Sequence, residues 1–293
     1  MHKIIVITGP TAVGKTKLSI ELAKKYDGEI INADAVQVYK GLNIGSAKVT
    51  EEEKEGIPHH LLDFKEVTEE YTIYHYQKDC REKIKDIQSR NKTPILVGGT
   101  GLYIKAALYD YKLSEEKSTN TYDNLTNEEL YEELKKLDKD IIIDKDNRRR
   151  LIRAINYYKE NNESINKNKT NKLLYNVIFI GLTTDRQVLY EKINKRVDEM
   201  ISRGLLEEVK SFYDKGIKSK PLLNAIGYRE LYNYLDGNCT KEEAIEKIKQ
   251  NSRHYAKRQY TFFNHQLPVV WFETDYNNFN NTIEKVASYI DSN

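Results

Sequence analysis

Eight residues near the start of the chain, GPTAVGKT from Gly9 to Thr16, satisfy the spacing G-x-x-x-x-G-K-[ST] without a gap. Glycines at such a turn let backbone N–H groups face an anion, the lysine reaches terminal phosphate oxygens, and a hydroxyl at the start of a helix can ligate Mg²⁺. Gly9, Pro10, Thr11, Ala12, Val13, Gly14, Lys15 and Thr16 are therefore the candidate phosphate-binding residues, and Thr16 is the candidate metal ligand. The spacing specifies a polyphosphate. It does not specify ATP.

A second group follows an apolar run at 29–33, in NADAVQVYKGLNIGSAK, where Asp34 stands just past the carboxyl end of an expected strand. In an open α/β sheet that edge faces the ligand crevice. A carboxylate there can bind Mg²⁺, accept a proton or cap the next helix, and the stretch alone leaves all three open. Gln37 and Tyr39 follow in a polar turn. In PILVGGTGLY the strand ends Gly98-Gly99-Thr100-Gly101. Nucleoside triphosphatases usually end one strand in an Asp that helps hold Mg²⁺. Its absence here counts against ATP hydrolysis and favours close approach of a bulky ligand to bare backbone.

Three basic groups complete the set. NRRRLIRAI places Arg149 and Arg153 one helical turn apart, with Leu151, Ile152 and Ile155 as apolar partners. KINKRVDEM puts Arg196 on a helix whose Ile193, Val197 and Met200 have core spacing. RHYAKRQYTFFNHQ mixes Arg253, His254, Lys257 and Arg258 with Tyr255, Tyr260 and Phe262, which suits phosphate contact together with base stacking. Taken singly, the Arg149–Arg153 pair and the RHYAKRQYTFFNHQ group also read as solvated helix faces. His59 and His60 read as loop anchors, because no third ligand has metal-site spacing.

The elements that must hold these residues alternate. Runs at 3–8, 29–33, 94–97, 177–182 and 269–273 have the composition of buried parallel strands, and helical patterns at 15–26, 73–90, 101–108, 185–202 and 241–263 fall between them. This predicts an α/β doubly wound parallel sheet of the P-loop type. Between 112 and 173 there is no glycine or proline, and helical patterns at 127–137 and 147–159 precede a polar tract at 159–172 expected to be a mobile loop. The expected organisation is a core of 1–111 with 174–293, interrupted by a helical insertion domain at 112–173. A formal charge of +2 gives little overall attraction to nucleic acid, so any such contact requires a local basic face. Two isolated cysteines, Cys80 and Cys239, make neither a disulfide framework nor a paired-cysteine metal site. An apolar strand expected at once leaves no room for a leader peptide, and no apolar run approaches the roughly 20 residues of a membrane span. A cytoplasmic protein that engages no membrane is the expectation.

In order along the chain, GPTAVGKT, ADAVQVYKGLNIGSAK, PHHLLD, PILVGGTGLY, NRRRLIRAI, AIGYRELYNYL and YAKRQYTFF together resemble the tRNA dimethylallyltransferase family from end to end. The resemblance implies a monomeric prenyltransferase that takes dimethylallyl diphosphate and the anticodon stem-loop of tRNA. It would transfer the dimethylallyl group to N6 of adenosine 37 in tRNAs that read codons beginning with U. On this reading the glycine loop holds a diphosphate with Mg²⁺, Asp34 matches the general base, and Thr11 and Arg196 match positions at the reacting diphosphate. The matching tRNA-contact positions are Asp34, Ala35, Val36 and Gln37, then Thr100, then Arg149, Arg150, Leu151, Ile152 and Arg153, the last of these groups lying in the insertion. Further along they are Asn224, Ala225, Ile226, Gly227, Tyr228 and Arg229, and finally Lys257, Arg258, Gln259, Tyr260, Thr261, Phe262, Phe263 and Asn264. Two positions depart from the family pattern: Ala35 replaces a common Ser, and Asn224 replaces an Arg found in some relatives. A P-loop small-molecule kinase, a prenyltransferase acting on free adenylate and a noncatalytic RNA-binding protein are the competing readings.

Overall fold

In the computed structural model, described for residues 3–111, 113, 122–166 and 171–293, the apolar runs become the strands of one six-stranded, wholly parallel sheet. The strands are β1 (Ile4–Thr8), β2 (Gly28–Asn32), β3 (His59–His60), β4 (Thr93–Val97), β5 (Val177–Thr183) and β6 (Val270–Glu273). Their order across the sheet is β3-β2-β4-β1-β5-β6. β1 and β2 are buried at every position, as expected of parallel strands covered on both faces. Each parallel crossover needs an intervening segment, which here includes α1 (Lys15–Lys25) after β1 and α3 (Ile73–Ser89) before β4.

Two compact units result, one of Met1–Ala107 with Tyr175–Asn293 and the other of Leu108–Leu174. The first unit's core joins Ile5 and Ile7 of β1, Leu18 and Leu22 of α1, Ile95 of β4, and Ile180 and Leu182 of β5. The second unit pairs α5 (Asn127–Leu137) and α6 (Arg148–Asn161) around Leu130, Leu134, Leu151 and Ile155. Thr126 and Glu129 form a reciprocal capping box at the start of α5. Arg148 donates to the carbonyls of Leu125 and Tyr122, which fixes the approach to α6.

Several expectations are corrected. The pair His59–His60 is an edge strand, held because His60 Nε2 lies 2.7 Å from Glu29 Oε2 on β2. A two-residue strand carries no period-2 signal, so pattern could not reveal it. The tract at 159–172 is shorter as a loop than expected: α6 continues to Asn161, and Ile165 packs on the second unit's core. Its residues 167–170 lie outside the described ones. Four helices that set the cleft walls or flank them were not anticipated: α8 (Leu205–Tyr213), α9 (Lys220–Asn224), α10 (Tyr228–Leu235) and α12 (Phe279–Ser292). The 241–263 pattern becomes α11 (Lys241–Gln266), started by Thr240, whose side chain caps Glu243 N. The short α2 (Glu51–Lys54), α4 (Gly101–Leu108) and α7 (Arg186–Ser202) complete the described helices.

Candidate active site

Three strand ends create the site. Register aligns Ile7 of β1 with Val97 of β4, and Asn32 of β2 with the same Val97. The glycine loop, Asp34 and Gly98-Gly99-Thr100 therefore leave the sheet side by side at its carboxyl edge, the position that open α/β sheets use for ligands. The approach is tight: a Cβ on Gly98 would lie 2.2 Å from the Ala33 carbonyl oxygen, so only glycine fits there. Gly9 has φ +133°, and a Cβ on it would lie 2.4 Å from the Leu182 carbonyl oxygen. These glycines answer to the backbone of neighbouring strands as well as to any ligand.

A cleft of about 970 Å³ lies on this edge. Thr11, Ala12, Gly14, Lys15 and Thr16 form one side, and Asp34 to Gln37 with Thr100 form the next. Arg196 of α7 faces them, and Asn224 to Gly227, Arg229, Arg258 and Gln259 close the remaining wall. Apolar surface comes from Ile20, Val97, Ile193, Val197 and Met200.

The electrostatics are unbalanced in one place. Lys15 Nζ donates to the carbonyls of Gly9 at 3.0 Å and Pro10 at 2.6 Å. Burial brings its pKa down to about 7, the nearby Arg196 charge adds to the fall, and Asp34 opposes it. Burial likewise lowers the pKa of Arg196, against the attraction of Asp34. Arg196 makes no hydrogen bond or ion pair among the described residues. Two desolvated cations lining one cleft and repelling each other favour an incoming anion.

Asp34 is half-buried and its Oδ1 accepts from Val36 N at 2.8 Å and Gln37 N at 3.4 Å. Its Oδ2 has no hydrogen bond among the described residues. One carboxylate thus shapes its own turn and keeps an oxygen for the cleft. The turn is pinned twice more, since Ala35 N donates to Thr100 Oγ1 at 3.1 Å and Asn32 Oδ1 accepts from Asp34 N at 3.1 Å. Gln37 Nε2 donates to the carbonyls of Ser46 and Ala47.

Against the comparison proteins the chain is unambiguous. The IPP transferase family model matches residues 37–266. A tRNA dimethylallyltransferase of Anoxybacillus flavithermus is 50% identical over 99% of this chain and 96% of its own length. The chain belongs to the tRNA dimethylallyltransferase family. It is accordingly a prenyl-transferring enzyme of tRNA modification. A Geobacillus thermodenitrificans relative of the same name is 49% identical over the same shares. Among solved structures, the tRNA isopentenylpyrophosphate transferase of Bacillus halodurans superposes with a TM-score of 0.78 at 41% identity, covering 100% of this chain and 96% of that one. A eukaryotic dimethylallyltransferase described as acting on tRNA reaches 0.89 at 30% identity, covering 100% of this chain and 79% of that one.

For this tRNA dimethylallyltransferase family member, the remaining expected site residues divide by place. Gly9 and Pro10 lend carbonyls to Lys15, and the Val13 side chain is fully buried. Tyr228 is buried behind the wall that its neighbours line. On α11, Lys257, Thr261 and Asn264 form an exposed stripe, Asn264 accepting from Trp271 Nε1 at 2.9 Å. Tyr260 shares a hydrogen bond with Thr183, Phe263 is fully buried and Phe262 packs beneath Gly101. On α6, in the other unit, Arg149 and Arg150 are exposed, Arg153 is half-buried, and Leu151 and Ile152 belong to the apolar packing.

Two residues of the expected groups, Tyr255 and Gln259, line the cleft, and Glu230, which spacing did not single out, braces the helices behind it. Tyr255 of α11 lines it, its hydroxyl pKa raised by burial and then by the Asp34 charge. Gln259 Nε2 donates to Gly99 O at 3.0 Å, fastening α11 to the strand end. Glu230 accepts from Gly227 N at 2.8 Å and Asn251 Nδ2 at 2.7 Å, and so fastens α10 to α11. Only contacts between distant segments reveal these roles. Among the described residues there is no cluster of three or more His, Cys, Asp or Glu able to hold a metal. No described helix is long and apolar enough to cross a membrane.

Proposed function

We propose that this enzyme transfers the dimethylallyl group of dimethylallyl diphosphate to N6 of adenosine 37 in tRNAs that read codons beginning with U. The observation that carries the reading is that Asp34, which lines the cleft with one carboxylate oxygen unbonded among the described residues, shares it with the desolvated pair Lys15 and Arg196. Such a site suits a reaction that removes a proton on one side and releases an anion on the other.

The adenine N6 lone pair is delocalised into the ring, so the amine is a poor nucleophile. Its target base must leave the stack to enter a cleft of this kind, and an anticodon loop gives up bases at low cost. As the N6–C1 bond forms, the C1–O bond to diphosphate breaks and its electron pair stays on the leaving oxygen. The N6 proton passes to Asp34, and the diphosphate is neutralised by Lys15, Arg196, Thr11 and the loop amides. Lys15 would exchange its two carbonyl partners for phosphate oxygens. Arg149 and Arg150, with Lys257 and Arg258, would grip tRNA phosphates, leaving the base to the cleft.

The residues present fit Mg²⁺. Thr16 supplies a hard hydroxyl at the start of α1, beside the loop amides, which suits an ion that keeps waters and takes most of its other oxygens from a substrate phosphate. Thr16 would hold it, and when bound it supplies further charge neutralisation for the diphosphate.

The test is transfer of label from radiolabelled dimethylallyl diphosphate, offered tRNA, free AMP or no acceptor. Label should enter tRNA alone. Label in AMP would assign the cleft to a free nucleotide, and no transfer to either acceptor would refute the reading.

A further inference from the structure

The Glu208 carboxylate on α8 collects four hydrogen bonds from two separate walls of the cleft. Its Oε2 accepts from Asn43 N at 3.0 Å and Ile44 N at 2.8 Å. Its Oε1 accepts from Gly45 N at 3.1 Å and from the Tyr228 hydroxyl. Three successive backbone amides turned toward one carboxylate form the concave arrangement that binds anions elsewhere, here filled by a side chain of the same protein. Tyr228 is fully buried, so its hydroxyl has no water to fall back on. A Cβ on Gly45 would lie 2.5 Å from the Tyr228 ring, so the two walls meet with no room between them. Phe212, one helical turn beyond Glu208, lies under Gly41 and supports the same loop.

These bonds connect directly to the cleft lining. Gly45, Ser46 and Ala47 line it, and Gln37 Nε2 ties Ser46 and Ala47 back to the Asp34 turn. On the other side Tyr228 follows Asn224 to Gly227, which line the facing wall. The glycine loop is held by other groups: Thr274 Oγ1 donates to Val13 O and Tyr276 Oη to Ala12 O.

We infer that Glu208 is a positioning residue for the tRNA side of the cleft, clamping the 37–47 loop to the 224–228 segment without touching substrate. The inference rests on the tRNA reading above. It assigns the glycine loop's ligand to a separately supported part of the site, so loss of Glu208 should separate the two substrates. Glu208→Gln turns one acceptor oxygen into a donor and opposes amide to amide. Gly45→Ala breaks the same clamp from the loop side, and Tyr228→Phe removes one bond with the ring kept.

Steady-state transfer and direct binding of an anticodon stem-loop RNA, by fluorescence anisotropy, test it for all three variants. Misplacing binding groups by a fraction of an ångström should raise the KM for tRNA and the Kd for the stem-loop roughly tenfold in Glu208→Gln and Gly45→Ala. Tyr228→Phe should fall between these and wild type. The KM for dimethylallyl diphosphate and the Kd for pyrophosphate should stay within about twofold of wild type. Unchanged stem-loop binding in folded Gly45→Ala and Tyr228→Phe would overturn the inference even if Glu208→Gln failed to fold. An equal rise for both substrates, or a lowered melting temperature with both constants unchanged, would make Glu208 a general structural residue and overturn it as well. Failure of wild-type transfer with intact stem-loop discrimination among the variants would sink the functional reading and leave the clamp standing.

Discussion

Lys15 and Asp34 both line the cleft, and the role proposed for each makes a prediction. With a pKa near 7, Lys15 is charged below that pH and increasingly neutral above it. An anion that needs the charged form must then draw a proton as it binds. Pyrophosphate affinity should fall as pH rises from 7 to 9, by up to about tenfold per unit. Lys15→Arg stays charged throughout that range and should flatten the profile in calorimetric titrations. Parallel profiles for the two proteins would remove Lys15 from the anion site. Asp34→Asn preserves the acceptor oxygen that Val36 and Gln37 use but removes the base. Single-turnover transfer should fall roughly 10²–10⁴-fold with tRNA affinity little changed. Near-normal transfer would reduce Asp34 to the turn-forming role its Oδ1 already plays. Rescue by raised Mg²⁺ would reassign it to metal binding. The sequence exposed Lys15 and Asp34 because a short loop motif and a strand end are local features. Glu208 was not legible, and Tyr255 was legible only as part of a basic and aromatic stretch, because each makes its contact to the cleft with a segment over a hundred residues away.

At the scale of elements, the edge of the sheet depends on one buried acid. Glu29 of β2 is 4% exposed and pairs with both Arg90 and His60, which seats β3 against β2. Arg90 is the larger cause of a carboxyl pKa held down at about 2. A depressed carboxylate stabilises the fold above its unfolded value of about 4.3 and ceases to do so as pH falls toward its folded value. Glu29→Gln should cost about 1–3 kcal/mol at neutral pH, measured by urea denaturation. The gap between variant and wild type should narrow below about pH 4. A constant gap from pH 7 to pH 3 would mean that packing, not charge, carries the effect. Long elements were readable because their periods repeat: five strands and the longer helices lie within a few residues of expectation. β3 and the helices from Leu205 to Leu235 were not, since the first is two residues long and the others are short and crowded with aromatics. Their burial comes from tertiary packing that no local period records.

The whole molecule carries almost no net charge, so its attraction for tRNA has to come from placed arginines and lysines. Arg149 and Arg150 are exposed on α6. Replacing both with Ala should weaken tRNA binding at low salt and reduce the slope of log affinity against log salt by about 1–2. An unchanged slope would return them to a solvated surface. The reaction proposed for this enzyme modifies the exocyclic amine of one adenosine in intact tRNA. Its most direct test uses dimethylallyl diphosphate and two tRNAs identical but for position 37, one with adenosine and one with inosine, which has oxygen in place of N6. Mass spectrometry of nuclease digests reads the product. One dimethylallyl group should appear on the adenosine tRNA, located at position 37, and none on the inosine tRNA. Equal modification of both, or a group located elsewhere in the molecule, would rule out N6 of that adenosine as the acceptor.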